Sequence, residues 1–451
     1  MIRKLLHRVF KYRVASFSAS AEPARVPVSQ HGIRRDQVSQ GAVKVCAALQ
    51  NRGFQAFIVG GAIRDLLIGY LPKDHDVATN ATPEEVRALF RRSRIIGRRF
   101  RIVHVINGQE TIEVSTFRAA QVAETDRHGR VLADNSYGSQ AEDAIRRDFT
   151  INALYYDPLT ETIVDYHSGV ADLRQKTLRV IGEPRTRYRE DPVRMLRAIR
   201  LAAKLGLTID SAAREPIRDM ASLLENVPTA RLFDETLKLL MSGNAVRCIG
   251  QLREEGLHHG LLPLLDIVLD QPVAERFIWL ALESTDDRVR ADKPVSASFL
   301  FAALLWPEVS RTWKERQAAG EPPYQALFDA MDEVLAAQAQ RLAITRRVAG
   351  DIKELWGLQP RFDKRVGRVP YRLIEHPKFR AGWDFLLLRA QAGGVPEELP
   401  TWWNHFAHAG QAEREELLRA ASKDSGKAPT RKRRRRRKTA GNAAQEPISE
   451  S

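Results

Sequence analysis

The sequence is poor in cysteine and contains no long hydrophobic run. Its 451 residues include two cysteines, Cys46 and Cys248, too few for a disulfide framework or a cysteine zinc site; this fits a reducing compartment. No apolar run approaches the length of a membrane-spanning helix, so we expect no stable membrane insertion. A disulfide-stapled domain and a helical membrane protein are therefore not expected.

Acidic side chains are missing before Glu22. Apolar residues from Ile2 to Phe10 are spaced to form a stripe with basic residues opposite. This pattern is compatible with a membrane-surface or RNA-binding helix, a transit peptide or a flexible start. The hydrophobic segment of a secretory signal is absent, and we favour a flexible segment over residues 1–35.

Positive charge is the main compositional excess. The formal net charge is +15 and the sequence pI is about 9.9, which favours a polyanionic partner, either nucleic acid or an acidic membrane surface. Eight consecutive basic residues, Arg431–Lys438, carry part of that charge, and without them +7 remains. The length indicates about two or three domains.

Residues 57–79 carry the strongest local pattern. A short apolar run predicts a buried strand, Gly60-Gly61 breaks it, and a helix is predicted next. The helix pattern places Ile63, Leu66, Leu67 and Tyr70 on one side. The glycine turn offers bare backbone N–H groups that suit a phosphate.

Asp74 and Asp76 follow this helix, on a segment that we expect to be extended. Alternation along a strand puts both carboxylates on one face, where they repel unless a cation lies between them. Carboxylate oxygens are ligands that Mg²⁺ accepts. A solvated strand face and an ordinary turn are the alternatives for each feature alone, but their order together predicts a pocket for a metal-bound nucleoside triphosphate.

This order of elements resembles the class II nucleotidyltransferases of the polymerase-β-like superfamily, the family of tRNA CCA-adding enzymes and bacterial poly(A) polymerases. The resemblance covers about residues 30–420. It implies an α/β nucleotidyltransferase head followed by an all-α neck and body. The expected division is a flexible segment 1–35, a head 36–165, a neck 166–245, a body 246–420 and a disordered basic tail 421–451.

Further motifs of the family follow along the chain. Arg146-Arg147-Asp148 with Asn152 resembles its RRD motif, which without the family would pass as a charged helix start. Glu113, on a strictly alternating segment, is a surface charge by spacing alone, but the family places its third acid on such a strand. Asp191, Arg194 and Arg197 resemble the family's base-reading motif on a helix that we expect to open near Glu190.

The resemblance implies two-metal nucleotidyl transfer with two Mg²⁺ ions and ATP as substrate. The implied catalytic residues are Asp74, Asp76, Glu113 and Asp148, with Asp74 and Asp76 as metal ligands. The implied nucleotide-binding residues are Gly60, Gly61, Arg64, Arg147, Asn152, Asp191, Arg194 and Arg197. We expect the tail residues Arg431, Lys432, Arg433, Arg434, Arg435, Arg436, Arg437 and Lys438 to bind RNA phosphates.

Several predictions concern structure alone. We expect a helix opened by a capping box at Thr82, a mobile loop over residues 119–139, and a hairpin over 154–166. Arg231 and Glu235 are spaced as an ion pair. Beyond about residue 245 the pattern is helical, and Trp402, Trp403 and Phe406 are expected in an interhelical core rather than stacked on RNA.

Three features favour the poly(A) polymerase branch over the CCA-adding branch. The segment from Gly97 to His104 and the segment from His376 to Ala390 are similar to that branch, and the basic tail suits an enzyme that must hold any RNA. His-Asp occurs only at residues 75–76, so the phosphohydrolase domain of some CCA-adding enzymes is missing.

The predicted function is template-independent addition of AMP from ATP to RNA 3′ ends, which promotes RNA turnover, in the bacterial cytoplasm. A tRNA CCA-adding enzyme is the alternative, and an RNA-binding protein on an inactive transferase fold is the non-enzyme alternative. RNA 3′ ends and ATP are the implied partners; the sequence does not identify possible RNA-degradation or RNA-chaperone proteins.

Overall fold

The computed structural model describes residues 22–97, 101–120, 124–125, 131–133, 136–257, 272–339 and 344–424. Residues 1–21 of the predicted flexible segment 1–35 and the predicted RNA-binding residues 431–438 lie outside these ranges. Within the described part of that segment, Ala24–Pro27 forms a strand that pairs with Thr162–Asp165, so the prediction of a flexible segment is wrong there. The chain divides into two compact units, the first ending at Lys353 and the second beginning at Glu354.

Strands are confined to the first unit among the described residues. They are β1 (Ala24–Pro27), β2 (Ala56–Val59), β3 (Asp76–Thr79), β4 (Ser93–Ile96), β5 (Ile102–Asn107), β6 (Glu110–Thr116), β7 (Glu124–Thr125), β8 (Val131–Ala133), β9 (Leu154–Asp157), β10 (Thr162–Asp165), β11 (Thr177–Leu178) and β12 (Thr208–Ile209).

Eight strands form one mixed sheet in the order β1-β10-β9-β2-β3-β6-β5-β4. Neighbouring strands are antiparallel except β3 and β6, which are parallel. The predicted hairpin is confirmed as β9 and β10, and β4 and β5 form a second hairpin. The strands β11 and β12 form a separate parallel pair, and β7 and β8 a short antiparallel pair.

The helices of the first unit are α1 (Val28–His31), α2 (Gln40–Gln50), α3 (Gly61–Leu67), α4 (Pro83–Leu89), α5 (Gln140–Arg146), α6 (Gly169–Arg174), α7 (Pro184–Glu190), α8 (Val193–Leu205), α9 (Ser211–Met220), α10 (Thr229–Leu240), α11 (Ala245–Glu254), α12 (Pro272–Arg290), α13 (Ala297–Ala318) and α14 (Pro323–Ala339). The division between the units falls in α15 (Arg346–Phe362), and the second unit contains α16 (Val369–Ile374), α17 (Phe379–Gln391), α18 (Glu398–His408) and α19 (Gln411–Asp424). Turns of 3₁₀ helix span Arg35–Gln37, Thr150–Asn152 and Ala221–Asn226.

Capping boxes determine where the head helices begin. The predicted box at α4 is confirmed: Thr82 and Glu85 cap each other's backbone, with Pro83 at the first helical position. A second box, Ser139 with Glu142, opens α5. Both helices therefore start where a side chain satisfies N–H groups that have no partner within the helix.

The sheet has a core on the face that α5 covers. Ala144 of α5 packs in a buried cluster with Val59, Ala78, Phe117 and Tyr155. The helix α2 packs against β2, β3 and β6. The central strands β2, β3 and β9 are therefore largely buried, whereas Asp76 at the start of β3 remains exposed.

The rest of the first unit is helical. The helix α8 packs against α10 and α11, and successive pairs from α11 to α14 are in contact. Every element described beyond residue 245 is a helix, as predicted. The expected α/β head followed by helical segments is confirmed. No helix in the described ranges combines the length and the apolar character needed to cross a bilayer.

The second unit has its own aromatic core. Trp403 and Phe406 of α18 are fully buried in a cluster with Leu358 and Phe362, which confirms their predicted core role. Trp402 is partly buried, and its ring stacks on Phe406 at 5.0 Å between centroids.

Two local predictions are wrong. Tyr70 does not belong to the buried side of α3, because the helix ends at Leu67 and the Tyr70 side chain is 53% exposed. The predicted loop 119–139 contains the paired strands β7 and β8 in its described part.

Candidate active site

One row of side chains crosses the sheet at the start of β3. Asp76 lies beside Glu113 on the parallel strand β6, and Glu113 lies opposite His104 on β5. The Nε2 atom of His104 is 3.2 Å from Oε1 of Glu113. Because neighbours in register project from the same face, the two carboxylates lie side by side, as the family resemblance implied.

The environment of Asp76 disfavours its charge. The Asp76 side chain keeps contact with solvent, but surrounding protein removes much of its hydration, and the charge of Glu113 adds repulsion. Together they raise the pKa of Asp76 to about 6, although Arg147 acts in the opposite direction. The charges of Glu113 and Asp74 thus act on Asp76 in the same direction as burial, and the positive charge of Arg147 opposes them.

Asp74 lies just before the strand rather than within it. The strand begins at Asp76, so the predicted alternation of both aspartates on one strand is wrong. The intervening His75 accepts a hydrogen bond from the Ser39 N–H at 3.3 Å, and burial lowers its pKa. Asp74 is exposed, and its charge contributes to the raised pKa of Asp76, so the two side chains are electrostatically coupled.

The glycine turn lies between β2 and α3. Gly60 has φ of +71°, a left-handed conformation that glycine adopts without strain. A β-carbon at Gly60 would lie 3.5 Å from an Arg147 guanidinium nitrogen. The turn and Arg147 are therefore close neighbours.

Arg147 is held by three groups of the head. Its guanidinium donates to the Asp143 carboxylate at 3.0 Å, the Tyr155 hydroxyl at 2.9 Å and the Asn152 carbonyl at 3.3 Å. The Tyr155 hydroxyl also donates to Asp143 at 2.7 Å. Sequence reasoning did not identify Asp143 and Tyr155; the spacing of four residues between Asp143 and Arg147 was the available signal.

The RRD motif lies at the end of α5. The alternative interpretation as a charged helix start is wrong, since α5 ends at Arg146 and Arg147 is already extended. Asp148 accepts hydrogen bonds from the N–H of Phe149 at 2.8 Å and the amide of Asn152 at 3.0 Å. It also forms an ion pair with Arg197 at 2.5 Å.

These contacts join the head to the neck helix α8. Burial opposes ionisation of Asp148, but the charge of Arg197 and the hydrogen bonds outweigh burial and lower its pKa. The Asn152 side-chain oxygen accepts from Arg64 at 2.7 Å. A continuous chain therefore runs from Arg64 through Asn152 and Asp148 to Arg197, whereas Glu113, Arg147 and Asp74 are the charges acting on Asp76.

The predicted base-reading residues lie around the junction of α7 and α8. The expected helix start at Glu190 is wrong: Glu190 ends α7, Asp191 is extended, and α8 begins at Val193. Arg194 donates to the carbonyl of Arg187 at 2.7 Å and to Glu190 at 3.2 Å.

A second neck helix also contacts this junction. The expected pair Arg231–Glu235 is wrong, because Arg231 of α10 instead donates to Asp191 at 2.7 Å. Glu235 pairs with Lys238 at 3.0 Å.

The carboxylates do not form a compact cluster. In the described ranges, no three histidine, cysteine or acidic side chains converge as a ready ion site. Asp76 and Glu113 are adjacent, and Asp74 lies on the preceding loop.

Three family models match the chain. They are the poly(A) polymerase head domain at residues 56–179, the probable RNA and SrmB-binding site of polymerase A at 206–269, and the polymerase A arginine-rich C-terminus at 319–439.

Individual proteins give the same affiliation. Poly(A) polymerase I of Salmonella typhi is 45% identical over 92% of this chain and 92% of its own length. A CCA-adding enzyme of a Geobacillus species is 35% identical over 55% of this chain and 61% of its own. The structure of the Bacillus stearothermophilus CCA-adding enzyme in complex with CTP has a TM-score of 0.55 and 25% identity, covering 85% of this chain and 82% of that one. The chain therefore belongs to the family of bacterial poly(A) polymerases.

Proposed function

We propose that this protein is a template-independent polynucleotide adenylyltransferase that transfers AMP from ATP to the 3′-hydroxyl of RNA. The observation that carries this conclusion is the pairing of Asp76 with Glu113 beside Arg147 and the Gly60 turn. Adenylate rather than CCA addition is supported by the relatives, since Poly(A) polymerase I matches 92% of the chain and the CCA-adding enzyme 55%.

The carboxylates fit a site for Mg²⁺. The raised pKa of Asp76 reflects first its loss of hydration and then the negative charge of Glu113, both of which a bound cation would offset, and the donors are oxygens, which Mg²⁺ prefers. We assign Asp74 and Asp76 as ligands and Glu113 as their support. When bound, two Mg²⁺ ions would supply the charge that activates the RNA 3′-hydroxyl and stabilises the leaving pyrophosphate. Asp74 lies apart from Asp76 on the loop before β3, which is consistent with a metal site whose ligands come together only when Mg²⁺ binds.

The triphosphate side of the pocket is built from the head. Arg147 presents a fixed positive charge, because Asp143 and Tyr155 orient its guanidinium. The Gly60 N–H donates to the Leu154 carbonyl at 3.3 Å, and Gly61, the first residue of α3, brings the N-terminal end of that helix to the phosphates. A preorganised charge of this kind offsets the charge that develops on the phosphates without reorganisation during the reaction.

The base side of the pocket is built from the neck. Asp191 offers acceptors and Arg194 offers donors, which together match the pairing edge of a base. Arg64, Asn152 and Arg197 support the nucleotide through the chain of contacts described above. Asp148 was predicted as a catalytic carboxylate; its ion pair with Arg197 favours a positioning role between head and neck.

RNA binding and domain limits rest on the sequence. The basic residues 431–438 would add phosphate contacts whose strength falls steeply with salt. We retain the division into head 36–165, neck 166–245, body 246–420 and tail 421–451 as a proposal. The cytoplasmic location also stays a prediction.

The test supplies the purified protein with each of the four nucleoside triphosphates separately, using an unstructured RNA and a tRNA that lacks its CCA end. Long tails from ATP alone are expected. A CCA-adding enzyme would instead add two C residues to the tRNA from CTP alone, and would complete the CCA end and stop there when CTP and ATP are supplied together. Asp74→Asn should abolish extension while Asp36→Asn, an exposed change outside the pocket, preserves it. RNA binding without extension by the unmodified protein would indicate the inactive-fold alternative.

A further inference from the structure

Arg187 on α7 contacts the backbone of the RRD motif. One terminal nitrogen of its guanidinium donates to the carbonyls of Arg146 and Arg147, each at 2.8 Å. The Arg187 side chain is 13% exposed, so these hydrogen bonds are shielded from water. The two carbonyls belong to the C-terminal end of α5, where backbone acceptors lack partners within the helix.

The other terminal nitrogen of Arg187 faces the base side of the pocket. It donates to Glu190 at 2.7 Å, and the same Glu190 oxygen accepts from Arg194 at 3.2 Å. The backbone carbonyl of Arg187 also accepts from Arg194 at 2.7 Å. Arg187 therefore touches the segment that carries Arg147 and, at the same time, the side chain of Arg194.

The surrounding backbone strengthens this connection. Phe149 pairs with Val180 in an isolated antiparallel bridge, and the Ile181 N–H donates to the Asp148 carbonyl at 3.1 Å. The segment from residue 179 to residue 187 thus lies along the RRD motif. Only a planar guanidinium carries donors on two terminal nitrogens at a fixed separation, so lysine cannot reproduce both sets of contacts.

We propose that Arg187 is a positioning residue that sets the triphosphate-binding Arg147 at a fixed distance from the base-reading Arg194. The inference rests on the proposed function, because it takes the nucleotide roles of Arg147 and Arg194 from there. Arg187 itself touches no substrate in this assignment; it aligns two groups that must hold opposite ends of one nucleotide.

The test compares Arg187→Lys with Arg185→Lys in the full chain. Arg185 is on the same helix and forms an exposed pair with Asp219, so it is the matched control. For Arg187→Lys we expect the KM for ATP to rise about tenfold with kcat within about threefold of the unmodified value, because binding geometry rather than chemistry is disturbed. The preference for ATP over CTP should fall as well, and Arg185→Lys should change neither.

If thermal unfolding shows that Arg187→Lys does not fold, a second variant, Glu190→Gln, still tests the inference. Glu190→Gln keeps the size of an exposed side chain and weakens its hydrogen bonds to Arg187 and Arg194. It should lower the ATP preference while leaving the melting temperature unchanged. Unaltered KM and selectivity in a folded Arg187→Lys or in Glu190→Gln would overturn the inference. Failure of the unmodified protein to extend RNA with ATP would instead reject the proposed function.

Discussion

Neutralising Asp76 should stop catalysis and stabilise the metal-free fold. Asp76→Asn removes a proposed metal ligand, so RNA extension should fall by more than a hundredfold, on the order of 3 kcal/mol in transition-state stabilisation. The same change removes a charge that the fold disfavours. The pKa of Asp76 rises from 3.8 to about 6, which corresponds to about 3 kcal/mol for a fully shielded group. Since Asp76 keeps contact with solvent, we expect on the order of 1 kcal/mol.

The sign of this stability difference depends on pH. A raised pKa means that the folded protein binds the proton more tightly than the unfolded chain. The stabilisation by that proton is fully present below pH 3.8 and is lost as the pH rises through about 6. Asp76→Asn should therefore be more stable than the unmodified protein at pH 8, and the difference should disappear near pH 4.

The assay is thermal unfolding in excess EDTA, with and without later addition of MgCl₂. At pH 8 without metal, Asp76→Asn should unfold roughly 2 °C higher than the unmodified protein. Magnesium should raise the midpoint of the unmodified protein more than that of the variant, because the ion binds the folded state. Asp74→Asn is the matched control: it should lose activity with little change in metal-free stability, since its side chain is exposed. A midpoint for Asp76→Asn at or below the unmodified value at pH 8 would refute this reasoning.

Two further pairs of substitutions test packing. Gly169→Ala would place a β-carbon 2.3 Å from the Thr150 carbonyl oxygen and should destabilise the protein by about 2 kcal/mol in urea unfolding. Gly250→Ala, within α11, meets open space and should stabilise the protein by about 0.5–1 kcal/mol. Equal effects of the two changes on the free energy of unfolding would contradict a close approach of Gly169 to Thr150. Trp403→Phe in the second unit should lower the free energy of unfolding by about 2 kcal/mol, because it leaves a cavity. The same change at the partly buried Trp402 should lower it by less than half of that. The reverse order of unfolding midpoints would show that the core is assigned wrongly.

The pairing of Asp76 with Glu113 was expected from the family resemblance, because spacing alone identified Glu113 only as a surface charge. The pair joins β3 to β6, which are separated along the chain by β4 and β5. Glu113 lies beside Asp76 as expected. The exact position of Asp74 was not predictable, because a distant contact decides where the strand starts. His75 binds the Ser39 backbone, and the β3 ladder begins only at the next residue.

The helix start near Glu190 was predicted wrongly although a usable signal was present, and a similar signal places the RRD motif on its helix. Ser139 and Glu142 form a capping box that fixes the start of α5, and the RRD motif therefore falls at its end. Pro192 disfavours helical geometry at the residue before it, which explains why α7 stops at Glu190. At Glu190 the acidic residues indicated a helix start, but the following proline is the stronger signal.

Partners between distant segments were beyond sequence reasoning. Arg231 has an acid at helical spacing, yet it binds Asp191 from another element. The contact of Arg187 with the end of α5 joins residues about 40 positions apart. Such pairs depend on how elements pack, which neither periodicity nor spacing encodes.

The chain of contacts through Asp148 limits how short a fragment of this protein can be and still fold and catalyse the reaction. The matched head domain ends at residue 179, so a truncation there would keep Asp76 and Glu113 yet discard the cations that neutralise Asp148 and cap α5. Exchanging heads between relatives should accordingly succeed only when the splice lies beyond Leu205, where α8 ends. With the proposed roles, the residues for nucleotidyl transfer and for base recognition therefore lie on one stretch of polypeptide that extends beyond the matched head domain.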